Sequence, residues 1–420
     1  MKLLINNKNF LSLFLGRIIT NIGDSLYYVA SMWLVYEMGE SSFYTGLAGF
    51  LILLPKALQF LTGPLVDRWK IRKTLVTTQI LQSLLILIIP ISYMLDILSI
   101  QLILIVMPII ALIEEFAYPT QTKALPLIVQ KTELIKGNSL FSFAYQGIDL
   151  VFNALSGFFV ASLGAIAIYV IDSITFAIAA ILFSLLKIPN NNENISKKLE
   201  VKSYFIELKE GILIVVNSLL WVFLFGSAIV NFSIGITMAI LPSFADSVGG
   251  VSLYGALLAS LSSGLLIGAL IGPLLERYRV GFLTIICFAV GASCWVLASL
   301  FASPVLTVLF FGIAWIPIGA VNILFAGISQ SIIPNGILGR VNSVMYSFSV
   351  IFMPVGSLLG GYLATLVYTK LIFTFTGFGI FCMAIVWLIH PELRKLPKTE
   401  ELSASTFKLT FFERGNGTSV

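Results

Sequence analysis

The stretch Gly63-Pro64-Leu65-Val66-Asp67-Arg68-Trp69-Lys70 returns as Gly272-Pro273-Leu274-Leu275-Glu276-Arg277-Tyr278-Arg279. Every position matches in kind: a Gly-Pro pair, two aliphatics, a carboxylate, an arginine, an aromatic and a second cation. Each copy follows an apolar run long enough to cross a ~30 Å hydrocarbon layer. A second echo supports the repeat, because Gln121 to Pro126 and Asn138-Ser139 are answered by Gln330 to Pro334 and Asn342-Ser343. A motif that recurs after the second and the eighth apolar runs divides the chain into two six-run halves in parallel orientation.

The composition demands lipid as solvent. Of 420 residues 58% are hydrophobic and 11% charged, too few polar groups to cover a water-soluble chain. Helices satisfy their backbone within each span. The runs predict an all-α membrane protein of twelve transmembrane helices in two six-helix bundles: 9–36, 43–66, 74–95, 100–118, 139–160, 165–187, 216–245, 252–275, 280–302, 304–329, 341–366 and 371–390. The first run lacks a short apolar core ending in a cleavage site and reads as an uncleaved helix. The organisation is thus an N-terminal bundle (1–187), a polar linker with an amphipathic segment (188–215), a C-terminal bundle (216–390) and a polar tail (391–420) expected to be mobile.

Lys and Arg stay on the cytoplasmic side of a membrane. One set of loops holds Arg68, Lys70, Arg72, Lys73, Lys123, Lys131, Lys136, Lys197, Lys198, Arg277, Arg279 and Arg340 with the basic tail residues, whereas the opposite set holds only Lys370. Both termini are therefore expected in the cytoplasm. The net charge of +5 follows from this topology and calls for no nucleic-acid partner. Cys287, Cys294 and Cys382 fall inside spans without metal-ligand spacing, and His390 ends the last span beside Pro391. With no nucleophile–base set, phosphate loop or Cys/His cluster, neither an enzyme, a metal site nor a cofactor is indicated.

The loop after the second span resembles the major facilitator superfamily pattern Gly-x-x-x-Asp-Arg-x-x-Arg-Lys, with Gly63, Asp67, Arg68, Arg72 and Lys73 matching outright. Asn21-Ile22-Gly23-Asp24-Ser25, Asp172 and Gly339-Arg340-Val341 are similar to the bacterial branch of macrolide-efflux pumps and siderophore exporters. The resemblance covers about residues 8–390 and implies the major facilitator fold, a bacterial inner-membrane location and a monomer. It also implies efflux by antiport of an amphipathic small molecule, such as a macrolide-like antibiotic, drug or siderophore. Two departures stand out: Ile110 occupies the place of a fourth-span Arg, and the fifth-span antiporter motif is reduced to Phe152-Asn153-Ala154-Leu155-Ser156-Gly157.

Ionisable groups inside a bilayer are costly and are functional candidates by default. Arg17, Asp24, Lys56, Glu114, Glu115, Asp149 and Asp172 all fall in the first half, and the second half's span interiors carry none. These seven are the candidates for coupling to a proton, with sodium the weaker alternative. Arg17, Asn21, Asp24 and Tyr28 form one helical stripe, and the fifth span repeats the arrangement with Ser142, Tyr145, Gln146, Asp149, Asn153 and Ser156. The bland alternative is a structural Asp24–Lys56 ion pair. Glu114 and Glu115 are expected near a span end. Asn21, Tyr28, Tyr145, Gln146 and Asn153 of the two stripes are expected to face the central cavity, as are Asn231 and Asn322 because an amide in lipid is costly; Phe223, Phe225, Phe232, Trp315, Phe325, Tyr346 and Phe348 are the aromatic cavity candidates of the second half. Gly63, Asp67, Arg68, Arg72 and Lys73, with Gly272, Glu276 and Arg277 as the second copy, suit a latch closing the cytoplasmic face. Two other readings remain open at this stage: a carrier for a specific solute, natural product or peptide, and a non-transporting membrane sensor or scaffold.

Overall fold

The computed structural model describes residues 4, 6–58, 69–130, 133, 137, 140–141, 144, 147–188, 201–301 and 303–409, and among them it contains no strand. The first helices are α1 (Lys8–Gly39), α2 (Ser42–Ala57), α3 (Ile71–Met94), α4 (Ile100–Ile128), α5 (Ile148–Leu163) and α6 (Ala165–Ser184). A linker helix α7 (Val201–Val216) precedes α8 (Leu220–Val248) and α9 (Gly250–Ile271), which tightens into a 3-10 turn at Gly272–Leu275. The chain continues through α10 (Val280–Leu300), α11 (Pro304–Ile332), α12 (Asn335–Val350), α13 (Phe352–Leu363) and α14 (Thr369–Ile389).

Among the described residues nine helical segments are long and apolar enough to cross a membrane. They coincide with the third, fourth and sixth to twelfth predicted spans. The first, second and fifth positions are filled by α1, whose apolar run is interrupted by its polar stripe, and by α2 and α5, each described over 16 residues. Side-chain oxygens of Asn7, Ser41 and Ser99 accept the first free backbone N–H groups of α1, α2 and α4, which is why these helices start where they do.

The chain forms two compact units, Met1–Lys198 with Ala245–Ala259, and Leu199–Phe244 with Ser260–Val420. In the first, α6 packs along α1 and α3, and α5 along α1. Ser83 and Ser173 each donate to the other's carbonyl at 2.9 Å, joining α3 to α6. Such interhelical bonds contribute about 0.6 kcal/mol each in a bilayer. The 245–259 segment belongs to this unit through the Tyr36 hydroxyl, which donates to Asp246 at 3.0 Å, and through Trp33, stacked on Tyr254. In the second unit α10 packs on α11 and α14, and the linker helix α7 on α12. There Gly356 and Gly360 of α13 lie directly against the backbone of α8 at Phe232 and Ile236, an approach any side chain would prevent.

Two expectations from sequence change. α4 passes through Pro108, Pro119 and Pro126 to reach Ile128, so Glu114 and Glu115 sit at mid-helix and half-buried, away from the helix end. Pro119 reads as a terminator in sequence because it removes a hydrogen bond, but a long packed helix absorbs that loss. The eleventh span runs on from α12 into α13 through Ile351, whose backbone stays helical, although Pro354 has no N–H to offer Val350.

The described part of the tail, through Leu409, is docked. A short helix α15 (Pro391–Arg394) leads into a strap whose Pro397 and Phe407 carbonyls accept from the N–H groups of Val280 and Leu219 at 3.0 and 2.8 Å. These are free donors at the starts of α10 and α8. Leu393, Leu396, Phe407 and Leu409 are buried beneath it, four apolar side chains that the polar composition of the tail conceals. The Lys408 ammonium, 2.6 Å from Glu392, holds that carboxyl below the usual range. Its contribution is present above the ordinary carboxylate value, is lost as pH falls through the depressed one, and is small because both groups are exposed. Packing matters more than this pair: Phe407→Ala should destabilise the second unit by about 3 kcal/mol. An apparent melting temperature in detergent equal to wild type would show that the strap carries no stability.

Candidate functional site

Five helices of the first unit carry the intramembrane charges. Asp149 lies in the first turn of α5 and accepts from the Ser25 hydroxyl of α1 at 2.8 Å. One turn before Ser25, the Asn21 amide donates to the Ala144 carbonyl at 2.7 Å. One further turn back, the Arg17 guanidinium lies over the Tyr118 ring of α4, 5.0 Å from its centroid, an arrangement that favours a desolvated cation. Arg17 and Asn21 are buried, while Asp24 and Tyr28 are half-buried, so the α1 stripe runs from the interior of the unit toward a more open level.

Asp172 of α6 approaches α1 at Gly23, the one place on that stretch without a side chain. Thr175 donates to Asp172 Oδ1 at 3.1 Å, and Oδ2 has no hydrogen-bond partner among the described residues although the side chain is fully buried. Arg17, Glu114, Asp149 and Asp172 all act electrostatically on Asp24; Lys56 acts on Glu115 and Asp149. The seven predicted groups thus form one electrostatic network spread over α1, α2, α4, α5 and α6. Within it, Arg17 acts on Asp24 and Asp149, and Lys56, exposed at the end of α2, acts on Tyr28, Glu115 and Asp149.

The second unit contains a cavity of about 350 Å³, lined from α8, α9, α10, α11, α13 and α14. Asn231, Asn322 and Trp315 lie in its wall, together with Phe223, Ser227, Met238, Met353 and Met383, and no lining residue is ionisable. The Asn231 amide donates to the Ser227 carbonyl at 3.0 Å and reaches its hydroxyl at 3.4 Å. Phe223 is held by Phe325, stacked at 4.6 Å between centroids, and by the edge of Trp387. Tyr346 stands apart, 43% exposed and outside the lining.

The remaining predicted residues are placed as follows. Gly63, Asp67, Arg68, Tyr145 and Gln146 lie outside the described residues, as does the side chain of Asn153. Arg72 and Lys73 are exposed on the first turn of α3, and the adjoining Trp69 stacks on Phe116 of α4 at 5.1 Å. In the second copy Gly272 is buried, and Glu276 and Arg277 are exposed, with the Arg277 guanidinium over the Tyr278 ring. Three participants went unread in sequence. Ser25 lies off the stripe spacing that singled out its neighbours, Tyr118 has no signal beyond preceding Pro119, and the cavity methionines look like any core methionine.

The ionisable groups within the spans lie in the first unit and an uncharged cavity lies in the second, and the family pattern of the Major Facilitator Superfamily matches residues 13–351. The chain belongs to this superfamily. It is a multi-pass membrane transporter and no enzyme. Among superfamily relatives it is 25% identical over 361 residues to the MFS-type transporter YkuC of Bacillus subtilis strain 168, covering 82% of this chain and 83% of that one. It is 24% identical over 401 residues to macrolide efflux protein A of Streptococcus pyogenes, covering 92% and 97%. The superfamily fold is also seen in the nucleoside transporter NupG, with a TM-score of 0.71 at 11% identity over 90% of this chain and 98% of that chain. A bacterial homolog of the human lysosomal transporter Spinster, inward-facing and unoccupied, gives 0.68 at 14% identity over 95% and 96%. At these identities the two structures bear on fold alone.

Proposed function

We propose that this transporter exports amphipathic small molecules of the macrolide, hydrophobic-drug or siderophore kind by alternating access, driven by proton entry. The observation that carries the reading is the chemical inequality of the two units. In the first, five carboxyl groups share a network with two cations, so the cluster has more sites for a proton than cations to neutralise them. In the second, the cavity is lined without charge and suits an apolar body. The full-length similarity to macrolide efflux protein A supports the outward direction and the substrate class.

Asp24 and Asp149 are the coupling carboxyls, with Arg17 and Lys56 as the cations that set their balance and Glu114, Glu115 and Asp172 as the surrounding acids. Sodium, which the same carboxylates with nearby carbonyls and hydroxyls could hold, is the weaker alternative to a proton. The two Gly-Pro motifs act as a cytoplasmic latch, Asp67 with Arg68, Arg72 and Lys73 in one copy and Glu276 with Arg277 in the other. Both termini face the cytoplasm of a bacterial cell, by the one-sided distribution of Lys and Arg, and the working unit is a monomer.

The test uses inside-out vesicles and the best-transported member of a panel of macrolides, hydrophobic drugs and siderophores. Collapsing the pH gradient with sodium held constant should stop accumulation. Accumulation that ignores the proton gradient and follows a sodium gradient would overturn the coupling.

A further inference from the structure

Where α1 begins and α4 and α6 end, the first unit holds a cleft of about 1060 Å³. Two asparagines build it. The Asn7 amide donates to the Ile128 carbonyl at the end of α4 at 2.6 Å, while its side-chain oxygen accepts the Phe10 N–H of α1 at 2.9 Å. The Asn9 amide donates to the Lys187 carbonyl beyond the end of α6, and its oxygen accepts the Lys187 N–H, both at 2.9 Å. Unsatisfied carbonyls at helix C-termini repel an anion. Those of Ile128 and Lys187 are already taken.

The charges of the wall are unequal. Lys8 and Lys187 both line the cleft and are exposed, and among the described residues neither is ion-paired. Lys8 stands on the first turn of α1, which carries no acidic residue, so its charge adds to the positive end of that helix. Glu133, the carboxylate of the described lining, is half-buried in a turn closed by its N–H on the Gln130 carbonyl at 2.9 Å. Two cations against one carboxylate leave the site matched to a single negative charge. The rest of the wall is apolar: Leu11 and Leu182 are half-buried, and Leu15 and Leu185 are 37% and 59% exposed. At the ends of membrane spans such leucines meet hydrocarbon, which a small water-soluble anion could not use.

We propose that this cleft binds one anionic glycerophospholipid from the surrounding leaflet. Lys8 and Lys187 take its phosphate, Glu133 accepts from a headgroup hydroxyl, and the acyl chains run along the four leucines. Basic pockets between transmembrane helices on the cytoplasmic side suit such headgroups. The site is independent of the exporter reading and uses only the orientation proposed above, which puts it in the cytoplasmic leaflet. A lipid held there joins the ends of the three helices that carry Asp24, Glu114 and Asp172.

The probe is phosphatidylglycerol with a photoactivatable diazirine on one acyl chain, doped sparsely into phosphatidylcholine nanodiscs that hold the full chain. Labelling mapped by mass spectrometry to residues 8–15 and 182–187 should exceed that by matching phosphatidylcholine and phosphatidylethanolamine probes about tenfold. At Leu270, 70% exposed on α9, the three probes should label alike. Unlabelled phosphatidylglycerol should compete in the cleft, whereas inorganic phosphate and the deacylated headgroup glycerophosphoglycerol should not. These wild-type arms decide the matter even where a variant misfolds. Lys8→Gln/Lys187→Gln should reduce the preference to about twofold or less. Lys395→Gln/Lys398→Gln removes the same charge at exposed positions of the tail and should leave the preference intact. Equal labelling of the cleft by the three lipids, or a preference that survives the Lys8/Lys187 change, would overturn the site. An equal loss in the tail variant would reduce it to net charge, and competition by phosphate or the free headgroup would make it a site for a soluble anion; either result rejects the lipid.

Discussion

Asp149→Asn should abolish uphill export while leaving substrate binding and downhill exchange measurable. The side chain is half-buried on α5 and accepts from Ser25 at 2.8 Å, a bond the isosteric amide oxygen can keep. What the substitution removes is the ionisable group, in the electrostatic reach of Arg17, Glu114 and Lys56. A carboxyl at such a place is pulled two ways: desolvation favours its neutral form, and neighbouring cations favour its charged form. A group balanced between them binds and releases a proton as access alternates. Proton entry at ~100 mV contributes about 2.3 kcal/mol per charge, or about 50-fold in concentration ratio. In vesicles the accumulation ratio should therefore fall from tens to about one in Asp149→Asn, and Asp24→Asn should behave alike. Ser25→Ala is the control, because it keeps the carboxyl and should retain a gradient-dependent ratio. An Asp149→Asn protein that still concentrates substrate would remove Asp149 from the coupling mechanism.

The helices were legible because a hydrocarbon layer imposes a length and a hydropathy that few other constraints imitate, and the duplicated Gly-Pro turn gave the twofold repeat. Asn231 and Asn322 could be read for a related reason: an amide in an apolar run has to be accommodated somewhere, and here both line one cavity. Proline misled once: Pro119 looked like an end and lies inside α4, where the packing of a long helix absorbs the lost hydrogen bond. The docked tail escaped notice because the four buried apolar residues scattered among 19 from Pro391 to Leu409 form no periodic pattern, and the Leu219 and Val280 N–H groups that hold the Phe407 and Pro397 carbonyls are distant in sequence.

Gly23 should prove as sensitive as the charges, and for a steric reason that can be separated from chemistry. Adding a Cβ there drives it into Asp172 Oδ1 and Thr175 Oγ1, with Asp172 Cγ only 3.2 Å away. Asp172 has no exposed surface into which to retreat, and α1 is held to α6 on both sides of this point, by Phe183 over Gly16 and by the Tyr27–Tyr169 edge contact. Overpacking of this kind costs about 1–3 kcal/mol, and here it would also push apart the helices that carry Asp24 and Asp172. Gly23→Ala should therefore lower the apparent melting temperature and transport together. In an Asp172→Ala/Thr175→Ala background the added methyl has room, so the melting temperature should return toward wild type, a coupling that independent sites would not show. Transport discriminates the two roles of Asp172. If the carboxyl is a member of the proton network, the triple variant will fold and bind but fail to concentrate substrate. Recovery of uphill export with Asp172 gone would instead reduce that residue to a packing element. Equal melting temperatures for Gly23→Ala and wild type would refute the close α1–α6 approach itself.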